Sequence, residues 1–162
     1  MDHRTIVSFF TCQLVWVNRY PLATQIRFVR ECPSAECLNQ TLFELAKKSG
    51  FDYYQFNLFL PSGLLQSHVS IFSHSPENWL EQYWQNQLAA HDPLLLMALR
   101  QNQPIIWHEL SITDTMVTEK GMAIMDQRAE HGMREGVTLP IHSGQGHHGM
   151  LHLSREHATG DV

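Results

Sequence analysis

Apolar side chains first recur at helical spacing across residues 34–50, where Leu38, Leu42, Leu45 and Ala46 form one stripe. Ser34 can cap this helix, and Gly50 is a natural stop. The period then changes. Phe51–Leu60 is rich in aromatics and reads as a strand, with Pro61-Ser62-Gly63 as its turn. Leu65–Phe72 alternates Leu65, Ser67, Val69 and Ile71 against Gln66, His68, Ser70 and Phe72, which predicts an antiparallel partner.

Ser75-Pro76 predicts a helix start, since serine caps free amide groups and proline at the first position loses no hydrogen bond. The helix it opens carries Trp79 and Tyr83 on one face. Asp92-Pro93 repeats this chemistry before Leu94–Leu99, a run too short for periodicity to type, and the cap assigns it as helix. Ile105-Ile106-Trp107 reads as a short buried strand. Glu119–His131 reads as a helix burying Met122, Met125 and Ala129, with Gly132 as its left-handed stop. Gly136–His142 and Gly149–Ser154 flank a turn with Gly144 and Gly146, the pattern of a hairpin.

The order is helix, hairpin, two helices, strand, helix, hairpin. Apolar residues on both strand faces need cover from two sides, so the expected class is α/β (α+β): an α/β/α sandwich around a five-stranded, mostly antiparallel sheet. No linker divides residues 1–162, and one domain is expected. The first thirty residues resist assignment, being interrupted by Pro21 and ended by Cys32-Pro33.

The net charge of −5 comes with no basic stripe, which argues against direct nucleic-acid binding by this segment. Three cysteines, Cys12, Cys32 and Cys37, lack paired metal-ligand spacing and fit a reduced, cytoplasmic compartment. Arg4 before the apolar run Ile6–Val17 resembles a signal-peptide core, but Ser8, Thr11 and Gln13 interrupt it. It is also too short to span a bilayer. No membrane association is expected.

Phosphate-loop, Gly-x-Ser-x-Gly and His-Glu-x-x-His patterns are missing, so no enzyme, cofactor or metal is expected. His142, His147, His148 and His152 crowd the last hairpin, and converging imidazoles can hold zinc or nickel, yet no spacing matches a ligand pattern. Cys12 with a histidine, or His91 with Asp92, are pairs that sequence does not place together. Asp92 before proline has helix capping as its default role, and Trp79, Tyr83 and Trp107 are by default core residues. Their combination nonetheless suits a pocket for a small amide or lactone with an apolar tail: large apolar walls, single donors and one acceptor.

Over roughly residues 35–155 the chain resembles the autoinducer-binding domain of bacterial LuxR-type quorum-sensing regulators. The resemblance rests on Pro76-Glu77-Asn78-Trp79, Tyr83, Asp92-Pro93 and Pro104-Ile105-Ile106-Trp107. It continues through Glu130-His131-Gly132 and Gly136–His142 to Gly149–Ser154, with Gly50-Phe51-Asp52-Tyr53-Tyr54 fitting the first strand. It implies the same sandwich fold and an N-acyl homoserine lactone ligand. Trp79 would donate to the lactone carbonyl, Asp92 would accept from the amide N–H, Trp107 would pack near the lactone and Tyr83 would contact the acyl part. It also implies a homodimer, or a heterodimer with a LuxR-type protein, and DNA contact only through a helix-turn-helix module absent from this chain. The alternative is an interaction protein that modulates a full-length regulator without binding ligand.

Several residues depart from the family pattern. Ser75 stands where many members have tyrosine, and His152 where a small serine is common. Gln55, Asn57 and Phe59 share the pocket-facing side of the first strand by alternation, and two of them are polar. Buried amide side chains need partners: each other, water, or a ligand more polar than a long-chain lactone. His152 either narrows the cavity or packs behind the sheet with its ring satisfied by a backbone carbonyl.

Overall fold

The computed structural model describes residues 32–61, 67–76, 78–142 and 147–157. The run Ile6–Val17 with Cys12, the turn residues Ser62 and Gly63 with Leu65, and the hairpin glycines Gly144 and Gly146 lie outside the described residues.

Helix α1 (Ala35–Lys48) begins where expected, with the Ser34 hydroxyl accepting from the Cys37 amide at 3.2 Å. It ends at Gly50, whose φ of 82° is the left-handed stop. Leu38, Leu42 and Ala46 are its buried stripe. Strands β1 (Tyr53–Pro61) and β2 (Ser67–His74) form the first hairpin; β3 is Ile105–Ile106; β4 (Glu135–His142) and β5 (His148–Arg155) form the last. They make one sheet in the order β2-β1-β5-β4-β3, and every pairing is antiparallel. β1 therefore sits beside the late strand β5, with Gln55 opposite His152.

Alternation then divides the sheet. Tyr54, Phe56 and Leu58 face α1, joined by Leu139, Ile141, Leu151 and Leu153, to form one core layer. Each fully buried side chain of this kind stabilises by about 1.5–3 kcal/mol over exposure. The other face carries Phe59 and Met150 against α2 (Trp79–Gln85), α3 (Pro93–Ala98) and α4 (Glu119–Glu130). Helices thus cover both faces, as the sandwich requires. Beyond α1, a cleft of about 380 Å³ opens on the first face near the β3 edge. Phe51, Ile106, Val137, Leu139, Glu135 and Arg155 are among its walls.

Three local readings need correction. Ser75 does not cap α2: its hydroxyl is engaged with that of Ser73 at 2.5 Å, and the helix starts at Trp79 after Asn78, which has φ 65°. Trp107 does not extend β3 but opens the short 3-10 turn Trp107–Glu109. Helix α4, capped by Thr118, fully buries Gly121, Ile124 and Arg128, while Met122, Met125 and Ala129 are half-buried, Met125 against the same core. Gly121 explains the rotation. A Cβ there would stand 3.1 Å from the His91 carbonyl oxygen and 3.3 Å from Pro93, so this face alone can approach the start of α3.

Gly136 makes the comparable approach in the sheet. A Cβ would lie 2.6 Å from the Leu153 carbonyl oxygen and 2.8 Å from the Trp107 ring, so the indole rests directly on bare backbone. Gly136→Ala is expected to lower stability by about 1–3 kcal/mol in urea unfolding, the range for overpacking. An unchanged unfolding midpoint would show that Trp107 is not held by this contact.

Candidate functional site

The site lies between the second sheet face and helices α2–α4. Its hub is Asp92, 1% exposed, at the cap of α3. Oδ1 accepts from the Leu94 amide at 3.0 Å, fulfilling the capping role read from Asp92-Pro93. Oδ2 accepts from the Tyr83 hydroxyl at 2.8 Å and from the Arg128 guanidinium at 2.6 Å. Burial would raise the Asp92 carboxyl pKa, but the charge of Arg128 and the hydrogen bonds from Tyr83 and Arg128 together outweigh that and hold it below the usual range. Burial, and then the Asp92 charge, push the Tyr83 phenol up, so it stays protonated and donates.

Arg128 is also 1% exposed, and reading the sequence for apolar stripes missed it. Its Cζ lies 4.9 Å from the Trp79 ring, 5.6 Å from Trp107 and 5.7 Å from Tyr83, within cation–π range of all three. The available signal was its place seven residues after Gly121, two helical turns along one face.

A second chain of bonds crosses the sheet. The Trp107 indole donates to the Thr138 hydroxyl at 2.9 Å, and that hydroxyl meets His152 Nδ1 at 2.8 Å. Indole can only donate, so the Thr138 proton is free to go to His152 Nδ1, leaving Nε2 as the protonated nitrogen of the neutral ring. His152 thus faces the helices, bonded to a hydroxyl and not to a backbone carbonyl. Burial, reinforced by the Arg128 charge and partly offset by Asp92, pushes its pKa down to about 3.

The structure brings Trp79, Tyr83, Asp92 and Trp107 together around Arg128. Gln55, Asn57 and His152 are buried on the facing strands, and Phe59 is half-buried against the same cluster. Ser75 is the outlier, half-buried beyond β2 and bonded to Ser73. The Gln55 amide donates to Asn57 Oδ1 at 3.0 Å, which satisfies part of the polar demand. Among the described residues, Gln55 Oε1, Trp79 Nε1 and Arg128 Nε are buried side-chain atoms of this site with no hydrogen-bond partner. Each such atom costs about 1–3 kcal/mol, so three around one site are a concentrated expense for the fold.

Of the last hairpin's histidines, His152 joins this site through Thr138. His142 and His148 pair across the strands with ring centroids 4.9 Å apart, and His142 Nε2 lies 2.6 Å from the Ala98 carbonyl oxygen. Among the described residues no three potential metal ligands converge.

Helices on both faces of an antiparallel sheet, with a buried polar cluster walled by indoles on one side, define the class: an α/β/α sandwich domain. Residues 34–161 match the autoinducer binding domain family, and the chain belongs to it as a LuxR-type quorum-sensing module, a ligand-binding and not a catalytic one. The transcriptional activator AhyR of Aeromonas hydrophila is 32% identical over 114 residues, which are 70% of this chain and 44% of AhyR. The chain thus spans less than half the length of that relative. In fold it is similar to CepR2 of Burkholderia cenocepacia (TM-score 0.67, 21% identity, 86% of this chain and 80% of that one). It is likewise similar to Escherichia coli SdiA (TM-score 0.69, 22% identity, 86% and 56%).

The neutral His152 ring makes stability depend on pH. The unfolded chain takes up a proton near pH 6.5, while the folded ring stays neutral down to about 3. Its share of stability is therefore complete above 6.5 and lost as pH falls below it, by up to about 1.4 kcal/mol per pH unit. His152→Gln is expected to flatten the fall of unfolding free energy between pH 6.5 and 4.5. Equal slopes for the two proteins would exclude a buried neutral His152.

Proposed function

We propose that this domain senses N-acyl homoserine lactone, or a related small amide, for a cytoplasmic, dimeric transcription regulator whose DNA contacts lie in a separate helix-turn-helix module. The observation that carries the reading is Trp79 Nε1, a donor on a residue with 0% exposure and no hydrogen-bond partner among the described residues. A ligand carbonyl would satisfy it. In this reading Trp107 packs beside the lactone, Asp92 stands at the amide, and Tyr83 meets the acyl part. Gln55, Asn57, Phe59 and His152 bound the rest. The domain assignment extends over residues 1–162.

The relatives support this. AhyR is a transcriptional activator, and CepR2 is described as N-acylhomoserine lactone dependent. Among the described residues no helix is long and apolar enough to cross a membrane. One observation favours a second reading, a partner protein that pairs with a full-length regulator without ligand. The Asp92 oxygen Oδ2 already holds two donors from the protein itself. Native mass spectrometry after expression with and without N-octanoyl homoserine lactone separates the two: a bound lactone mass supports the sensor, and a ligand-free heterodimer with a LuxR-type protein supports the partner.

Trp79→Phe removes a donor that bonds nothing among the described residues, so its hydrogen-bonding cost should fall on the ligand. Lactone affinity is expected to drop about three- to tenfold, the worth of one neutral hydrogen bond. Calorimetric titration giving equal affinities would remove Trp79 from the carbonyl.

A further inference from the structure

Asp92 offers about four lone-pair positions on its two oxygens. Three are taken within the protein, by the Leu94 amide, the Tyr83 hydroxyl and Arg128. The oxygen turned to Tyr83 and Arg128 is saturated, and the other caps α3. A ligand amide N–H would have to compete for the single position left on a carboxylate that is 1% exposed. The unmatched groups of the site lean the other way. Among the described residues, Arg128 Nε and Trp79 Nε1 are donors without acceptors, and Gln55 Oε1 is the lone unmatched acceptor of the three.

Charge narrows the ligand further. Asp92 and Arg128 cancel at 2.6 Å, so an anionic ligand would add an uncompensated buried charge, which is costly. A neutral molecule with oxygen acceptors leaves the balance intact. Net stability alone also explains Arg128 poorly. A buried ion pair is often no more stabilising than apolar residues of the same volume, and here its Nε is left unsatisfied as well.

We propose that Arg128 is the specificity-determining residue of this site: it holds the Asp92 carboxylate to itself and offers Nε–H to the ligand. The site thereby selects neutral molecules presenting carbonyl or ester oxygens and does not require an amide N–H. This rests on the sensor reading and deepens it. Asp92 becomes a positioning residue for Arg128, and the hydrogen bond that discriminates ligands moves from the carboxylate to the guanidinium.

The test compares two probes that differ at one atom, N-octanoyl homoserine lactone and the ester in which the amide N–H is replaced by oxygen. Both are titrated calorimetrically into the full chain and into Arg128→Met. The wild-type protein is expected to bind amide and ester within about threefold of each other. Arg128→Met releases Asp92 and is expected to favour the amide by about tenfold or more, the weight of a hydrogen bond to a charged group. A wild-type preference for the amide of tenfold or more overturns the proposal, as does an unchanged ratio in the variant. Should the variant fail to fold, the wild-type ratio decides alone. If wild-type protein binds neither probe, the sensor reading falls and the proposal with it, whereas binding with the wrong ratio overturns the proposal alone.

Discussion

The contact between Asp92 and Arg128 organises the half of the molecule that carries function. It joins the cap of α3 to the last turn of α4, and through Tyr83 it reaches α2, so three helices share one carboxylate. The three rings around the guanidinium then have fixed places, because a cation among aromatic faces settles their arrangement as well as its own. Removing one partner of such a pair costs about 3–5 kcal/mol, while replacing both by apolar residues is often neutral. Its value therefore lies in specifying one arrangement of the helices rather than in net stability.

The sheet supplies the fixed wall opposite. Pairing β1 with β5 sets Gln55 against His152 and Asn57 against Met150, while β4 brings Thr138 beside His152. Two glycines bring wall and helices close. Gly136 lets Trp107 lie on the strand, and Gly121 lets α4 touch the start of α3, which turns Arg128 inward. The resulting site combines a hydrogen-bonded relay from Trp107 through Thr138 to His152 with a set of buried polar atoms that lack partners among the described residues.

Much of the fold was legible because local chemistry and tertiary structure agree. Ser34, Gly50 and Gly132 mark the helix ends they were expected to mark, and the last hairpin follows its alternation. Asp92 was legible twice, as a cap and as a polar group among aromatics. Arg128 was not, because its partner is 36 residues away and a stripe drawn from hydrophobicity alone turns arginine outward. Ser75-Pro76 misled for the opposite reason: a sound local capping signal gives way when the serine hydroxyl finds a neighbour on β2.

The claim that the ion pair is the hub is tested most directly by a double-mutant cycle on unfolding free energy with Asp92→Asn and Arg128→Met. Asparagine keeps the cap of α3, so the cycle isolates the pair. Each single variant is expected to lose about 3–5 kcal/mol, and the double variant to lose less than either, since no buried charge is then left alone. Additive losses, with a coupling below about 0.5 kcal/mol, would contradict the account.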